Sequence, residues 1–280
     1  MKAALDWVGN ARIRFPPTLR LFWRDNLKVP SVRTGRCRVC GEERQLTYEH
    51  VPPRAAYNSE PSKRYKLAER WAIEAGKPAR YESQQRGAGD YALCELCNNN
   101  TGIWYVPELT RLVEAGATVV RKLSAELARV VSDPTDVVTI RMKIVRSYPA
   151  RFTKEMISML LAINDPTFGD AYPELREFVL DRAAPLPPQY RLYLSLFDRD
   201  VAREAGRYTA MRGIGTPSTH AFEATELSYP PYTYVLTIDE RPDEERPGDI
   251  TQLTRYSYGE RVPEIELSVP LNWTLLPHPL

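Results

Sequence analysis

The sequence has few cysteines and histidines and no long hydrophobic run. Its 280 residues contain four Cys and three His, with no internal repeat and no low-complexity tract. No apolar stretch approaches the roughly 18 residues that a membrane-spanning helix needs, and the N-terminus MKAALDWVGNARIRF lacks the apolar core of a signal peptide. These absences predict a cytoplasmic protein that does not enter a membrane. In a reducing compartment, four cysteines are better suited to metal thiolates than to disulfides.

Charge is unevenly distributed, although the formal net charge is only +2. Residues 1–36 carry eight Lys or Arg against two Asp or Glu, so we interpret them as a basic N-terminal arm. Its arginines alternate with Phe15, Phe22 and Trp23, which suits contact with a polyanion backbone. The same composition fits an arm whose aromatic rings are buried and whose arginines are merely solvated.

The second half of the chain has the periodicity of a mixed domain. Apolar residues recur at helical spacing from Leu109 to Val130. Further helices are predicted at 151–164 and 172–181, and strands at 137–145, 190–197, 232–239, 251–258 and 264–269. The acidic, proline-rich stretch 240–249 is typical of an exposed loop. Residues 106–280 are therefore predicted to form a C-terminal α+β domain, whose role the sequence leaves open.

All four cysteines fall into two CxxC pairs, Cys37 with Cys40 and Cys94 with Cys97. This spacing lets each pair approach one ion, and four thiolates satisfy tetrahedral zinc. A four-cysteine site has no open coordination position, so we expect structural Zn²⁺ that takes no part in catalysis.

Between the pairs lies QLTYEHVPPRAAYN (45–58), and the second pair continues as CELCNNNTG (94–102). A CxxC, an acid-His-x-x-Pro segment and a CxxC followed by Asn and Gly together resemble the HNH endonucleases of the ββα-metal superfamily. The resemblance covers about residues 37–105. It implies a zinc-stabilised, treble-clef-like ββα-metal module in which a β-hairpin carries the acid-His pair and a helix follows the second CxxC. The expected fold class is thus α+β, with this module followed by the C-terminal domain.

The resemblance also implies roles for individual residues. His50 would be the general base that takes a proton from water, Glu49 a metal ligand on the hairpin, and Asn98 a ligand on the helix. These oxygen donors suit a hard cation such as Mg²⁺ or Mn²⁺. Arg54 is placed to hold a phosphate, although it could equally be a surface charge. Asn100 is a candidate phosphate contact or a helix-capping group.

Two features depart from the family pattern or constrain it. The asparagine expected shortly before the second CxxC is absent from RGAGDYALC (86–94), where Asp90 is the nearest candidate to hold the His50 imidazole. Adjacent strand residues point to opposite faces, so Glu49 and His50 can share a site only if the hairpin is bent or bulged.

Gly102 is expected to permit a turn or close packing. The basic insert 59–89 predicts a helix at 62–76 that either lies along nucleic acid or is merely solvated.

The function that these features predict is metal-dependent hydrolysis of DNA phosphodiester bonds, by nicking or by double-strand cleavage. The family implies a phage, restriction or antiphage defence context, with dimerisation or partner docking assigned to the C-terminal domain. The alternatives are a catalytically inactive zinc-stabilised module that binds nucleic acid, and a purely structural zinc domain. His220 and His278 are isolated from acidic or cysteine clusters and are interpreted as surface or packing residues.

Overall fold

The computed structural model describes residues 33–65, 81–130, 138–198, 202–212, 220–240, 246–273 and 275. Nearly all of the predicted basic arm, including its aromatic residues, lies outside this part of the chain, as does His278. The fold is mixed, with α-helices and several antiparallel β-sheets. Within the described ranges, no helix is both long and apolar enough to cross a lipid bilayer.

A small antiparallel sheet and one helix carry the cysteine pairs. The strands, in spatial order, are β1 (Arg33–Arg36), β2 (Glu43–His50) and β5 (Gly89–Cys94). Helix α1 (Glu95–Trp104) follows β5 without a loop. We call β1, β2, β5 and α1 the zinc module. Residues 33–36, which we grouped with the arm, belong to it because β1 pairs along its whole length with β2.

A separate hairpin lies between β2 and β5 in the chain. Its strands are β3 (Ser62–Tyr65) and β4 (Tyr81–Gln84), which pair antiparallel. The helix predicted at 62–76 is therefore wrong over its first four residues, and 66–80 lie outside the described ranges. Pairing with β4 decides the conformation of Ser62–Tyr65, and residues 62–76 alone contain no sign of that partner.

The C-terminal part is a helical layer against two sheets. The helices are α2 (Val106–Val130), α3 (Pro149–Ile163), α4 (Pro166–Ala171) and α5 (Pro173–Leu180). The strands are β6 (Thr139–Ser147), β7 (Tyr190–Leu196), β8 (Arg203–Arg212), β9 (His220–Tyr229), β10 (Tyr232–Ile238) and β11 (Val262–Pro270). The larger sheet has the order β7-β10-β9-β8, and β11 pairs with β6. The helices and four of the five strands predicted in this part are confirmed.

The strand predicted at 251–258 is wrong, because Thr251–Arg255 form a 3₁₀ helix. The backbone N–H of Thr251 donates to the Asp249 carboxylate at 2.8 Å, and the Thr254 hydroxyl donates to the Thr251 carbonyl at 2.7 Å. Short polar side chains thus bond to the local backbone and favour a tight turn over an extended strand. Strands β8 and β9 were not predicted.

Helix α3 lies at the centre of the described structure. Apart from Arg151, every residue from Pro149 to Ala162 is buried. The helix packs against α2, α5, the strand β5 of the zinc module and the larger sheet. A helix buried on all sides is normally apolar throughout. This one nevertheless contains Lys154 and Glu155, whose exposed fractions are 2% and 1%.

Arginines join the zinc module to the helices α3, α4 and α5. The Arg38 guanidinium donates to the carbonyl of Ala162, and the carbonyl of Arg38 accepts from Nε of Arg176 at 3.2 Å. The Asp170 carboxylate forms ion pairs with two guanidinium groups, that of Arg36 in the zinc module at 2.5 Å and that of Arg176 on α5 at 2.6 Å. We call this network the arginine joint. It fixes the position of the first CxxC turn relative to the C-terminal helices.

Candidate functional site

The four cysteine thiols form one cluster, as their spacing predicted. Their Sγ atoms all lie within 4.8 Å of one another, and Cys37, Cys94 and Cys97 are buried while Cys40 is partly exposed. Sulfur ligands at about 2.3 Å from zinc lie roughly 3.8 Å apart in a tetrahedron. The Sγ atoms of Cys40 and Cys94 are 4.0 Å apart. The donor set and its spacing therefore fit a structural metal such as zinc.

Local backbone geometry brings the two pairs together. In the first pair, Gly41 has a φ of +76° and its N–H donates to the Cys37 carbonyl at 2.8 Å, which closes the turn between β1 and β2. In the second pair, Cys94 ends β5 and Cys97 lies in the first turn of α1. The Cys94 N–H also points at Sγ of Cys37, at 3.3 Å. Such N–H donors stabilise a thiolate.

Thiol ionisation in the metal-free cluster is uneven. A hydrogen bond from Cys97 lowers the pKa of Cys37 to about 4. The same hydrogen bond, together with burial, raises the pKa of Cys97 far above its ordinary value. Without a cation, only part of the cluster ionises, so binding of zinc must release protons.

His50 is the last residue of β2 and is half-buried. Its Nε2 lies 2.9 Å from the carbonyl oxygen of Arg86. A carbonyl can only accept, so Nε2 carries the proton and Nδ1 has the free lone pair. Burial lowers the pKa of the imidazole below its ordinary value, and the positive charges of Arg54 and Arg86 lower it further. Both effects favour the neutral imidazole.

Asp90 does not have the surroundings that we predicted for it. It lies opposite Glu49 in the β2–β5 register, and its Oδ2 is 3.5 Å from Nη2 of Arg38. Its other oxygen accepts the N–H of Tyr91 at 2.8 Å. The imidazole of His50 is held by the Arg86 carbonyl. No sequence signal identifies a backbone carbonyl for this role, because any residue type supplies one.

Glu49 and Asn98 lie on the other face of β2 from His50. Strand alternation puts His50 with Tyr48, whose ring meets the imidazole edge-on at 5.2 Å, and puts Thr47 with Glu49. The Asn98 amide donates to the Thr47 hydroxyl at 2.9 Å, so it faces the side of Glu49. The register shift in the β2–β5 pairing falls between Thr47 and Tyr48, not between Glu49 and His50. The bend required to bring Glu49 and His50 to one face is thus absent from the strand pairing.

Glu49 is enclosed despite its charge. Its exposed fraction is 8%, and burial raises the pKa of its carboxyl to about 8. Glu155 of α3 lies across the boundary of the module. Burial raises the pKa of Glu155 well above its ordinary value, and repulsion from Glu49 adds to that shift. Nothing in the sequence links two glutamates that are more than a hundred residues apart.

The remaining predicted residues are placed as follows. Arg54 begins the short 3₁₀ helix Arg54–Ala56 just after β2 and is exposed. Asn100 is half-buried on α1 and is not brought to His50 by any described contact. A Cβ on Gly102 would meet nothing within 4 Å, so the expectation that this glycine permits close packing is wrong. His220 contacts the Asp239 carbonyl at 2.8 Å, far from the cysteine cluster in the fold.

Asn58, which was not predicted as a site residue, is fully buried. Its Nδ2 donates to the carbonyls of Pro52 and Ala88 at 2.6 and 2.7 Å, and its Oδ1 accepts the Ala88 N–H at 2.7 Å. These bonds tie the segment after His50 to the segment that carries Arg86. Asn58 therefore positions the carbonyl that holds the imidazole. The only hint in the sequence is an asparagine at the end of the conspicuous stretch 45–58.

No protein-family model, no curated protein and no solved structure matches this chain. The function is therefore inferred from the geometry of the site and from the resemblance of its motifs.

Proposed function

We propose that the protein is a metal-dependent HNH-type endonuclease that hydrolyses DNA phosphodiester bonds. One observation carries the proposal: a histidine, held at Nε2 by the Arg86 carbonyl and flanked by two exposed arginines, ends a strand of a module that carries four clustered cysteines. Phosphodiester hydrolysis needs a base that is unprotonated near neutral pH and positive charge near the phosphate. His50, Arg54 and Arg86 supply both.

Each residue has a defined task in this mechanism. Nδ1 of His50 accepts the proton of the attacking water while Nε2 stays bonded to the Arg86 carbonyl. The water oxygen bonds to phosphorus as the bond from phosphorus to the leaving sugar oxygen breaks, and that oxygen takes a proton from solvent water. The Arg54 guanidinium holds a non-bridging oxygen of the scissile phosphate. Glu49 and Asn98 would hold Mg²⁺ or Mn²⁺, and this cation would stabilise the negative charge that develops on the phosphate. Zinc held by Cys37, Cys40, Cys94 and Cys97 stabilises the fold of the module.

DNA is the proposed partner on electrostatic grounds. Arg54 and Arg86 are exposed beside His50, and Arg33 stacks over the Tyr91 ring at 4.6 Å on the same face of the sheet as Tyr48. A stacked guanidinium and free guanidinia are suited to phosphate contacts. A role in phage, restriction or antiphage defence stays a prediction, as do a cytoplasmic location and dimerisation or partner docking through the C-terminal domain.

The test is a plasmid-nicking assay with Mg²⁺ or Mn²⁺. His50→Ala should slow nicking by about 10²–10⁴-fold, the range typical of a lost general base. His220→Ala is a matched control, because His220 also bonds a backbone carbonyl through Nε2 but lies on β9. Equal activity of wild type and His50→Ala, or no cleavage by wild type across metals and substrates, would contradict the proposal.

One observation favours a second function, a zinc-stabilised module that binds nucleic acid without cutting it. His50 and Glu49 lie on opposite faces of β2, and the family mechanism needs the base and the metal ligand to converge. An electrophoretic mobility assay distinguishes the two. DNA binding by both wild type and His50→Ala, with no cleavage by either, would select the binding module.

A further inference from the structure

Glu155 has a carboxylate oxygen with no partner. It lies in the middle of α3 with an exposed fraction of 1%, and its Oε2 is buried without a hydrogen-bond partner among the described residues. An unpaired buried carboxylate is costly, because burial removes its hydration and nothing replaces it. Such a group normally binds a cation or retains a proton.

Among the described residues, two cationic side chains at α3 are bonded to other groups. Lys154, the preceding residue, directs its Nζ to the carbonyls of Phe178, Asp181 and Ala184. Arg38 bonds the carbonyl at the end of α3 and lies beside Asp90. Within the described ranges, neither Glu155 nor Glu49 makes a hydrogen bond or an ion pair through its carboxylate. The charge that acts most directly on Glu155 is the like charge of Glu49.

A third oxygen donor lies at the same boundary. Asn98 uses its Nδ2 to bond the Thr47 hydroxyl, which leaves its Oδ1 available. Thr47 and Glu49 lie two residues apart on one face of β2, so the Asn98 amide, which bonds Thr47, is on the same face as the Glu49 carboxylate. The three groups come from β2, α1 and α3. Two carboxylates and one amide oxygen are a typical donor set for Mg²⁺ or Mn²⁺.

We propose that Glu155 is a third ligand, together with Glu49 and Asn98, of a divalent cation bound between the zinc module and helix α3. The inference rests on the proposed function, because the cation is the one assigned there to Glu49 and Asn98. It adds a ligand from outside the zinc module. A +2 ion lets both buried carboxyls ionise and supplies the missing partner of Oε2.

The experiment measures Mn²⁺ binding to the zinc-loaded full chain by electron paramagnetic resonance, with thermal unfolding as a second readout. Glu155→Gln and Glu49→Gln keep the side-chain shape and remove one charge each. Each should weaken Mn²⁺ binding at least tenfold, with the zinc content unchanged. Glu177→Gln is the control: it makes the same chemical change at an exposed position on α5 and should leave Mn²⁺ binding unchanged.

Thermal unfolding separates a ligand from a structural residue. Without Mn²⁺, Glu155→Gln should raise Tm, because it removes a buried unpaired charge. With Mn²⁺, wild type and Glu177→Gln should gain in Tm, whereas Glu155→Gln should gain little. If Glu155 had only a structural role, its variant would lower Tm and keep the full Mn²⁺-dependent gain.

The outcomes also distinguish this inference from the proposed function. If Glu49→Gln weakens Mn²⁺ binding and Glu155→Gln does not, the third ligand is refuted and the proposed nuclease metal stands. If wild type binds no Mn²⁺, the buried pair shares a proton, and both the third ligand and the metal assigned to Glu49 are refuted. Comparable losses in both glutamine variants support the shared site.

Discussion

Gly87 and Asn58 approach so closely that only a glycine fits at position 87. A Cβ on Gly87 would collide with the carbonyl oxygen of Asn58, and Gly87 has a φ of +100°, which side chains rarely adopt. The contact lies one residue from Arg86, whose carbonyl holds His50. The conformation of this short segment thus decides where the imidazole points.

Gly87→Ala should destabilise the protein by about 1–3 kcal/mol, because it adds both backbone strain and a collision. Urea unfolding measures the change. Gly102→Ala is the matched control: a Cβ there meets open space within α1, so it should be neutral or stabilising by up to about 1 kcal/mol. Equal effects of the two substitutions would show that the Asn58 contact imposes no requirement at position 87.

Removal of zinc should unfold the zinc module. The two CxxC pairs lie on separate segments, and the cluster joins the turn between β1 and β2 to the start of α1. Cys97→Ser, or treatment with a strong chelator, should abolish the expected content of about one zinc per chain and lower Tm. Metal analysis and circular dichroism measure this. Readdition of zinc should restore chelated wild type but not Cys97→Ser; an unchanged Tm after complete zinc loss would contradict a structural site.

Lys154→Met should destabilise the protein by roughly 2–4 kcal/mol, because the carbonyls of Phe178, Asp181 and Ala184 lose their common donor. The effect should depend on pH. Burial lowers the pKa of Lys154 to about 8, so between pH 8 and 10.5 the unfolded chain binds a proton that the folded chain does not. The contribution of Lys154 to the free energy of unfolding therefore increases as the pH rises from 8 to 10.5.

Chemical denaturation of wild type and Lys154→Met at pH 7 and pH 9.5 checks this sign. The difference in stability between the two proteins should widen at the higher pH. A constant difference would mean that the pKa of Lys154 is not lowered in the folded state.

Arg54→Ala should weaken DNA binding about equally for different sequences, since a phosphate contact carries no base information. The slope of log K against log salt should fall in magnitude by about one, the amount expected for one lost phosphate contact. Arg261→Ala is the control, because Arg261 is exposed just before β11 and its Nε donates to the carbonyl of Arg146 on β6, outside the zinc module. Fluorescence anisotropy across a salt series measures both. An unchanged slope for Arg54→Ala would place Arg54 outside the DNA contact.

The cysteine cluster was predictable, because it depends on residue types at a fixed spacing along the chain. CxxC spacing alone indicates a metal, and the four thiols do cluster. The surroundings of His50 were harder to predict, because its hydrogen-bond partner is the backbone carbonyl of Arg86 and not a side chain. Glu155 was beyond sequence reasoning: a glutamate in an amphipathic pattern is expected on a polar face, and only packing of the zinc module on α3 buries it.

Some elements of the fold were likewise predictable from the sequence and others were not. Helices with strong periodicity, such as α2 and α3, were predicted well. The strand Ser62–Tyr65 and the 3₁₀ turn Thr251–Arg255 were not, because the first depends on a partner strand and the second on bonds from Asp249 and Thr254. Both are decided by contacts that a hydrophobic pattern does not encode.

The arginine joint has a practical consequence for dissecting this protein. A fragment that ends at residue 105 would leave Arg38 without the carbonyl of Ala162, and Arg36 without Asp170. It would also expose the part of β5 that α3 covers. Such a fragment should aggregate, and substitutions in α3 that never touch DNA should alter cleavage by moving the strand that carries His50.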